Sequence, residues 1–393
     1  MKFIPHLLFA SIALIFAAHT AAVEPGELIV QTEAGLTWND NVYRSPARAY
    51  IDYGQSSQPV ITPEVRQGVY IPLSLDAAYT HPVTGNQRLL ASLEFQAQHY
   101  LDTELDNANR QNYLITLGDT LSLAEGKAHQ FTLSVFHGAY HNTYVDRDTG
   151  LEKETSSGSN VSDRYQYNKT GARMRWRRTG KLFDFKMLGT WQQRDYEDPQ
   201  VISQLDNTYY KVKGSGYLHP GKSSRFGMHY SYYVYDYQER PARDAGGTLS
   251  SANPVLTYRY QKLSGDFRHK LNKAWKFTAG FDYTVRTDNF RGYGNYEEIE
   301  GDIAVRYRIK KGVKAKLRLN RWMRDYPNAF AYDNIAMRSP KNANGSEAKF
   351  SLAYALPGRD SIEFMLSSNN IRGTDARYEY QQRIASCVYV WNL

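Results

Sequence analysis

An alternation of period two runs through almost the whole of this chain, and it constrains the fold more than any other feature. Beyond residue 26, residues of one parity are apolar and those of the other are polar, while amphipathic helical periodicity is nearly absent. The clearest case sets Trp275, Phe277, Ala279, Phe281, Tyr283 and Val285 against Lys276, Thr278, Asp282, Thr284 and Arg286. Such a pattern describes a β-strand with one apolar and one polar face. Sixteen segments carry it, near 27–38, 68–80, 87–100, 112–123, 128–144, 164–178, 181–196, 207–219, 224–237, 255–269, 274–288, 295–309, 313–326, 346–356, 360–370 and 378–393.

The connections alternate in length. Thr84-Gly85-Asn86, Glu125-Gly126, Thr179-Gly180, Pro220-Gly221-Lys222, Lys310-Lys311-Gly312 and Pro357-Gly358 suit tight hairpin turns. Between them come long polar stretches, including Asn39 to Gln67, Val145 to Asp163, Gln238 to Pro254 and Pro327 to Gly345. Tight turns at one end and long loops at the other predict an all-β chain, a transmembrane up-and-down antiparallel β-barrel of about sixteen strands. Most segments exceed the roughly 9 to 11 residues that a tilted strand needs to cross a bilayer. The mean hydropathy of −0.61 and the lack of a long apolar run past residue 23 exclude helical spans. The single cysteine, Cys387, excludes an intramolecular disulfide and reads as a small apolar lipid-facing residue.

Residues 1–22 read as a secretory signal peptide. Lys2 precedes a mostly apolar run from Leu7 to Ala18, and Thr20-Ala21-Ala22 supplies a small-residue cleavage site. The mature barrel then spans 23–393, and the expected location is the bacterial outer membrane. At the other end Tyr389, Trp391 and Leu393 share one face of the last segment. This resembles the carboxy-terminal strand that the barrel-assembly machinery recognises in outer-membrane proteins, although that pattern usually closes on Phe or Trp. The bilayer, lipopolysaccharide, the assembly machinery and small solutes are the implied partners; nucleic acid is not, and homo-oligomerisation is left open.

Trp38, Tyr100, Trp176, Trp191, Tyr196, Tyr237, Trp275, Tyr326 and Trp391 stand near segment ends, as interfacial girdles would. Three segments break the parity rule. Asp119 falls on the lipid face of the fourth, Tyr165 and Tyr167 oppose Met174 and Trp176 in the sixth, and Tyr258 and Tyr260 oppose Leu263 and Phe267 in the tenth. A bulge or register shift is expected in each.

If apolar residues face lipid, their alternates face a lumen. The net charge of +8 then gathers on the sixth to thirteenth segments. Arg173, Arg175 and Arg177 are followed by Lys186, Lys211, Lys213, Arg225 and Arg268, and then by Lys276, Arg286, Arg306, Arg308, Lys314, Lys316 and Arg318. Acidic lumen candidates are Glu33, Asp76 and Glu94 on the first three segments and Glu298, Glu300 and Asp302 on the twelfth. A basic wall in a low-dielectric channel favours anions. Pairing between neighbouring strands competes with that role, and the acidic block beside Lys314, Lys316 and Arg318 suits it. The connection Asn39 to Gln67 is long enough to constrict the pore or to cap its mouth.

No hydrolase, metalloprotease or phosphate-loop motif is present, and His137 and His141 share a strand face without a third ligand in sequence. No enzyme activity, cofactor or metal is expected. The first segment with Trp38-Asn39-Asp40-Asn41-Val42-Tyr43-Arg44-Ser45 resembles the start of a group of bacterial β-barrel porins, some encoded with exopolysaccharide export systems. That resemblance implies an outer-membrane channel for small anionic or sugar-like solutes. The alternative is a non-conducting barrel that serves as a structural or export partner for polysaccharide or surface proteins. The barrels of surface lipoprotein assembly modifiers are similar in form but follow a helical repeat domain, whereas here Leu28 begins a strand almost at once.

Overall fold

The computed structural model describes residues 26–53, 56–123, 128–155, 157–197, 205–331 and 339–393. The leader expected at 1–22 and the turn at Glu125-Gly126 lie outside these described residues. The strands are β1 (Glu27–Asn39), β2 (Tyr50–Ile51), β3 (Val60–Ile61), β4 (Gly68–Pro82), β5 (Gln87–Tyr100), β6 (Arg110–Leu123), β7 (His129–Asn142), β8 (Tyr167–Arg178) and β9 (Phe183–Tyr196). They continue as β10 (Asn207–Leu218), β11 (Ser224–Pro241), β12 (Val255–Lys270), β13 (Trp275–Asp288), β14 (Tyr296–Lys310), β15 (Val313–Phe330), β16 (Pro340–Ala355), β17 (Ser361–Gly373) and β18 (Tyr380–Asn392). Sixteen of them form one closed antiparallel barrel, while β2 and β3 make a separate hairpin inside the first long loop. Closure comes from β1 against β18, with Gln31 opposite Asn392 and Asn39 opposite Ile384. Leu393 extends that ladder, its amide donating to the Val30 carbonyl at 2.9 Å. A closed barrel leaves no backbone edge to be satisfied by lipid.

The side-chain period sorts the wall into two surfaces. Leu133 (62% exposed), Met174 (60%), Met228 (65%) and Leu366 (59%) lie on the outward parity. At the tight-turn rim this outer surface carries aromatic pairs, with Trp275 stacked on Tyr307 at 4.3 Å and Tyr389 against Trp391 at 4.4 Å. Gly312 and Gly358, with φ of +82° and +89°, supply the left-handed conformations that two of the tight turns require. Cys387 faces out between Leu36 and Phe364.

Several expectations need correction. None of the three suspected register breaks occurs. β6 pairs without interruption from Arg110 to Leu123, so Asp119 does face outward; Gln87 Nε2 donates to its Oδ2 at 2.6 Å. β8 keeps register too, and β12 keeps it from Thr257 onward, its one shift against β11 lying between Asp236 and Pro241, because Tyr167, Tyr258 and Tyr260 are inward-facing aromatics rather than displaced lipid-facing ones. The girdle set divides by residue type. Trp38, Trp176, Trp191, Trp275 and Trp391 are outward, whereas Tyr100, Tyr196, Tyr237 and Tyr326 point inward, and the hydroxyls of Tyr100 and Tyr326 accept from Asn39 and Arg324. Among the described residues, the expected loop from Pro327 to Gly345 is largely strand. β15 runs to Phe330 and β16 starts at Pro340, with the register shift between Tyr326 and Phe330 absorbing the proline that cannot donate.

Candidate channel lumen

Cross-strand register turns each charged candidate into a position on the inner wall. Arg173, Arg175, Arg177, Lys186, Lys211, Lys213, Arg225, Arg268, Lys276, Arg286, Arg306, Arg308, Lys314, Lys316 and Arg318 all fall on the inward parity, as do Glu33, Asp76, Glu94, Glu298, Glu300 and Asp302. Tyr389 and Trp391 are outward, and β18 lies between β17 and β1.

The cations divide into a neutralised group and an uncompensated one. Asp266 receives Arg225 at 2.7 Å, His229 at 3.0 Å and Arg268 at 3.5 Å, and Lys262 meets Asp282 at 2.8 Å. The acidic block of β14 is tied to β15 by Arg324 Nε on Glu298 at 2.7 Å, Asn320 on Glu300 at 2.6 Å and Arg318 on Asp302 at 3.5 Å. Sequence proximity set that block beside Lys314, Lys316 and Arg318. The antiparallel register gives it only Arg318, and brings in Arg324 and Asn320 instead.

Lys314 and Lys316 lie one step nearer the tight-turn rim. There Lys270, Lys276, Arg306 and Lys316 stand side by side in one row across β12 to β15, and Arg308 faces Lys314 in the next. Among the described residues these six share no ion pair with any acid. Like charges set directly opposite one another oppose folding. Five of them, all except Lys316, line a cleft of about 610 Å³. Across the lumen, Asp76 stands opposite Glu94 and beside Gln31, whose amide donates to Glu33. Cations without acids on one wall and acids without cations on the other set a transverse field across the interior.

Other cations lie over rings. Arg173 sits 5.2 Å from the Phe136 centroid, Lys186 4.9 Å from Tyr217 and Lys211 5.7 Å from Tyr233. Arg194, Lys262 and Arg324 were missed by sequence reading, although each shares the inward parity of a charged neighbour already identified.

Long loops close over part of the mouth. Val42 and Tyr43 of the first loop pack with Tyr70, Tyr100, Leu105 and Ala108 in a buried cluster that Val145 joins. The Ala47 amide donates to the Glu379 carbonyl at 2.9 Å, and Arg48 meets the Glu379 side chain at 2.9 Å. The loop after β7 holds this cap from the other side. Tyr50 donates to Asp148 at 2.7 Å, the Glu64 amide donates to the Asp148 carbonyl at 2.7 Å, and Lys153 pairs with Asp146. Burial alone would raise the Asp146 carboxyl, but Lys153 and nearby backbone amides outweigh it and hold the group below the ordinary range. Burial raises Asp148, aided by the adjacent Asp146 charge, and raises the Tyr50 phenol as well. His137 and His141 face outward and bond Thr170 and Gln166, and no cluster of three metal-binding side chains occurs among the described residues.

No protein-family model and no curated protein matches the sequence. The fold is shared with solved outer-membrane channels. The channel DcaP of Acinetobacter baumannii is 11% identical and superposes with a TM-score of 0.52, over 95% of this chain and 99% of that one. The anion-selective porin from Comamonas acidovorans is 10% identical over 94% and 99% of the two chains, at a TM-score of 0.47. OprD of Pseudomonas aeruginosa is 9% identical over 94% and 96%, at 0.44. At these identities the likeness speaks to architecture alone. The closed sixteen-stranded wall, apolar outside and charged inside, makes this chain an outer-membrane β-barrel with the porin-type channel fold.

Proposed function

We propose that the protein is a non-enzymatic outer-membrane channel through which small anionic or sugar-like solutes pass. One observation carries this reading, the uncompensated row Lys270, Lys276, Arg306 and Lys316 with the Arg308 and Lys314 pair beside it. A fold gains nothing from like charges in register, and in a narrow low-dielectric passage the same charges concentrate anions. A sixteen-stranded barrel is wide enough for an aqueous path that side chains do not fill.

Liposome swelling with solutes of similar size tests the reading. A hexuronate is expected to enter several-fold faster than the corresponding neutral hexose, and a basic amino acid slowest. Equal rates, or preference for the cation, would refute it. The cap of loops over the mouth favours a second reading, a closed barrel serving as an export or structural partner. That reading expects no swelling with any solute.

A further inference from the structure

A band of aromatic rings lines the long-loop half of the inner wall, apart from the cationic row near the tight-turn rim. Tyr140 stacks with Tyr167 at 5.4 Å, and Tyr167 meets Tyr196 at 5.0 Å. Tyr209 meets Tyr235 at 4.9 Å, Tyr233 meets Tyr260 at 4.4 Å, Tyr260 meets Tyr296 at 6.3 Å and Tyr296 meets Tyr326 at 5.6 Å. Arg194 bridges the first two groups, 5.6 Å from Tyr167, 5.4 Å from Tyr209 and 5.1 Å from Tyr235. Arg286 lies 4.5 Å from Tyr258 and 4.3 Å from Tyr296, and Arg324 lies 4.5 Å from Tyr296. Rings and guanidinium groups thus follow one another across β7 to β15 without a break.

We infer that this band is a binding track for an acidic oligosaccharide, a chain of pyranose units carrying carboxylates. The inference deepens the channel reading and rests on the lumen being the solute path. Three features select the ligand class. Nine neighbouring strands at about 4.8 Å spacing extend the band to roughly 40 Å, far more than a small solute covers. Its members occupy three hydrogen-bonded rows, Tyr140-Tyr167-Tyr196, Tyr209-Tyr235-Tyr258 and Tyr233-Tyr260-Arg286-Tyr296, and the steps between rows keep that length at the long-loop ends of the strands. Phenol rings offer flat faces to the C–H face of a pyranose, while their hydroxyls can bond its hydroxyl groups. Arg194 lies several rings from Arg286, while Arg286 and Arg324 flank the one ring of Tyr296 and Arg324 is paired with Glu298, so the free guanidinium groups are sparse along the band. That density suits intermittent carboxylates, each met by a planar fork, and falls short of the charge on every unit of a polynucleotide.

The test titrates the refolded full barrel with oligogalacturonate, a neutral malto-oligosaccharide of equal length, monomeric galacturonate and a single-stranded oligonucleotide. Binding is read by calorimetry and passage by single-channel current. Oligogalacturonate is expected to bind at least about tenfold more tightly than the neutral chain or the monomer, and to interrupt the current. Tyr260→Ala should weaken binding about fivefold, the scale of one lost ring contact, while Tyr260→Phe keeps most of it. Arg286→Gln should narrow the gap between acidic and neutral chains. Heat-modifiable migration confirms that each variant is folded, and the wild-type ligand comparison stands without any variant. A conducting, anion-selective barrel that binds oligogalacturonate no better than the neutral chain, or no better than the oligonucleotide, overturns the track and leaves the channel reading intact. A barrel that binds oligogalacturonate selectively but never conducts supports the track and overturns passage.

Discussion

Lys276, Arg306 and Lys316 oppose one another across three strands, so a single reversal should relieve repulsion and reveal function together. Lys316→Glu is expected to stabilise the barrel by about 0.2–1 kcal/mol, the range for replacing a like-charged cross-strand pair by an opposite-charged one. The same substitution should move the reversal potential toward cations. Urea unfolding in lipid vesicles and bilayer recording check the two effects. Greater stability with unchanged selectivity would show that the row does not border the ion path. Asp119 makes a second test at this scale. One of its oxygens is held by Gln87 while the other is buried without a partner. Gln87→Leu removes the hydrogen bond that holds this bilayer-facing carboxylate, and is expected to cost about 1–3 kcal/mol, whereas Asp119→Leu should be neutral or stabilising. Equal destabilisation by both would contradict this placement.

Among the elements, β18 and the loop cap carry separate consequences. Trp391 packs against Tyr389 at the rim, and Leu393 completes the ladder to β1. Trp391→Ala should lower the yield of heat-modifiable barrel in cells more than it lowers the stability of barrel refolded in detergent. Equal loss in both would make the residue a packing element without a part in assembly. In the cap, Asp146 lies below the ordinary carboxylate range and Asp148 above it. A lowered native value gives stability that is present above about pH 4 and is lost as acid titrates the native group. A raised one does the reverse, so Asp148 tightens the cap as pH falls toward that range. Hydrogen exchange in the loop after β7, corrected for its intrinsic pH dependence, should therefore slow on mild acidification and quicken below about pH 4. In Lys153→Met the quickening should vanish, because Asp146 then loses the partner that holds it ionised. Persistence of that limb would point to another acid.

Over the whole molecule, the alternating pattern and the alternating connection lengths were enough to read the barrel and its strand count, since each strand's two faces meet such different surroundings. Two strands, β8 and β12, were misjudged for one physical reason. Tyrosine is apolar enough to mimic a lipid-facing residue and polar enough to line a lumen, so Tyr167, Tyr258 and Tyr260 suggested slips where the ladder is continuous. Tryptophan has no such ambiguity at most positions, and only Trp322 of the six points inward. Pairing partners were legible only in part, because the offset between strands is set by turn geometry and closure. Lys314 and Lys316 could be assigned to the inner face from parity, but their position opposite Arg308 and Arg306 required the register. The folding of Tyr43 over Tyr70 and Tyr100 depended on contacts distant in sequence and left no local signal.

The central claim is that the barrel conducts and that its uncompensated cations set the selectivity. Single-channel recording of the refolded chain in a planar bilayer, under a salt gradient, tests it most directly. Stable openings with a reversal potential on the anion side, shifted toward cations when Arg306 and Lys316 are both reversed to Glu, are the expected result. A folded, heat-modifiable barrel that never opens, or one whose selectivity ignores those two residues, would contradict it.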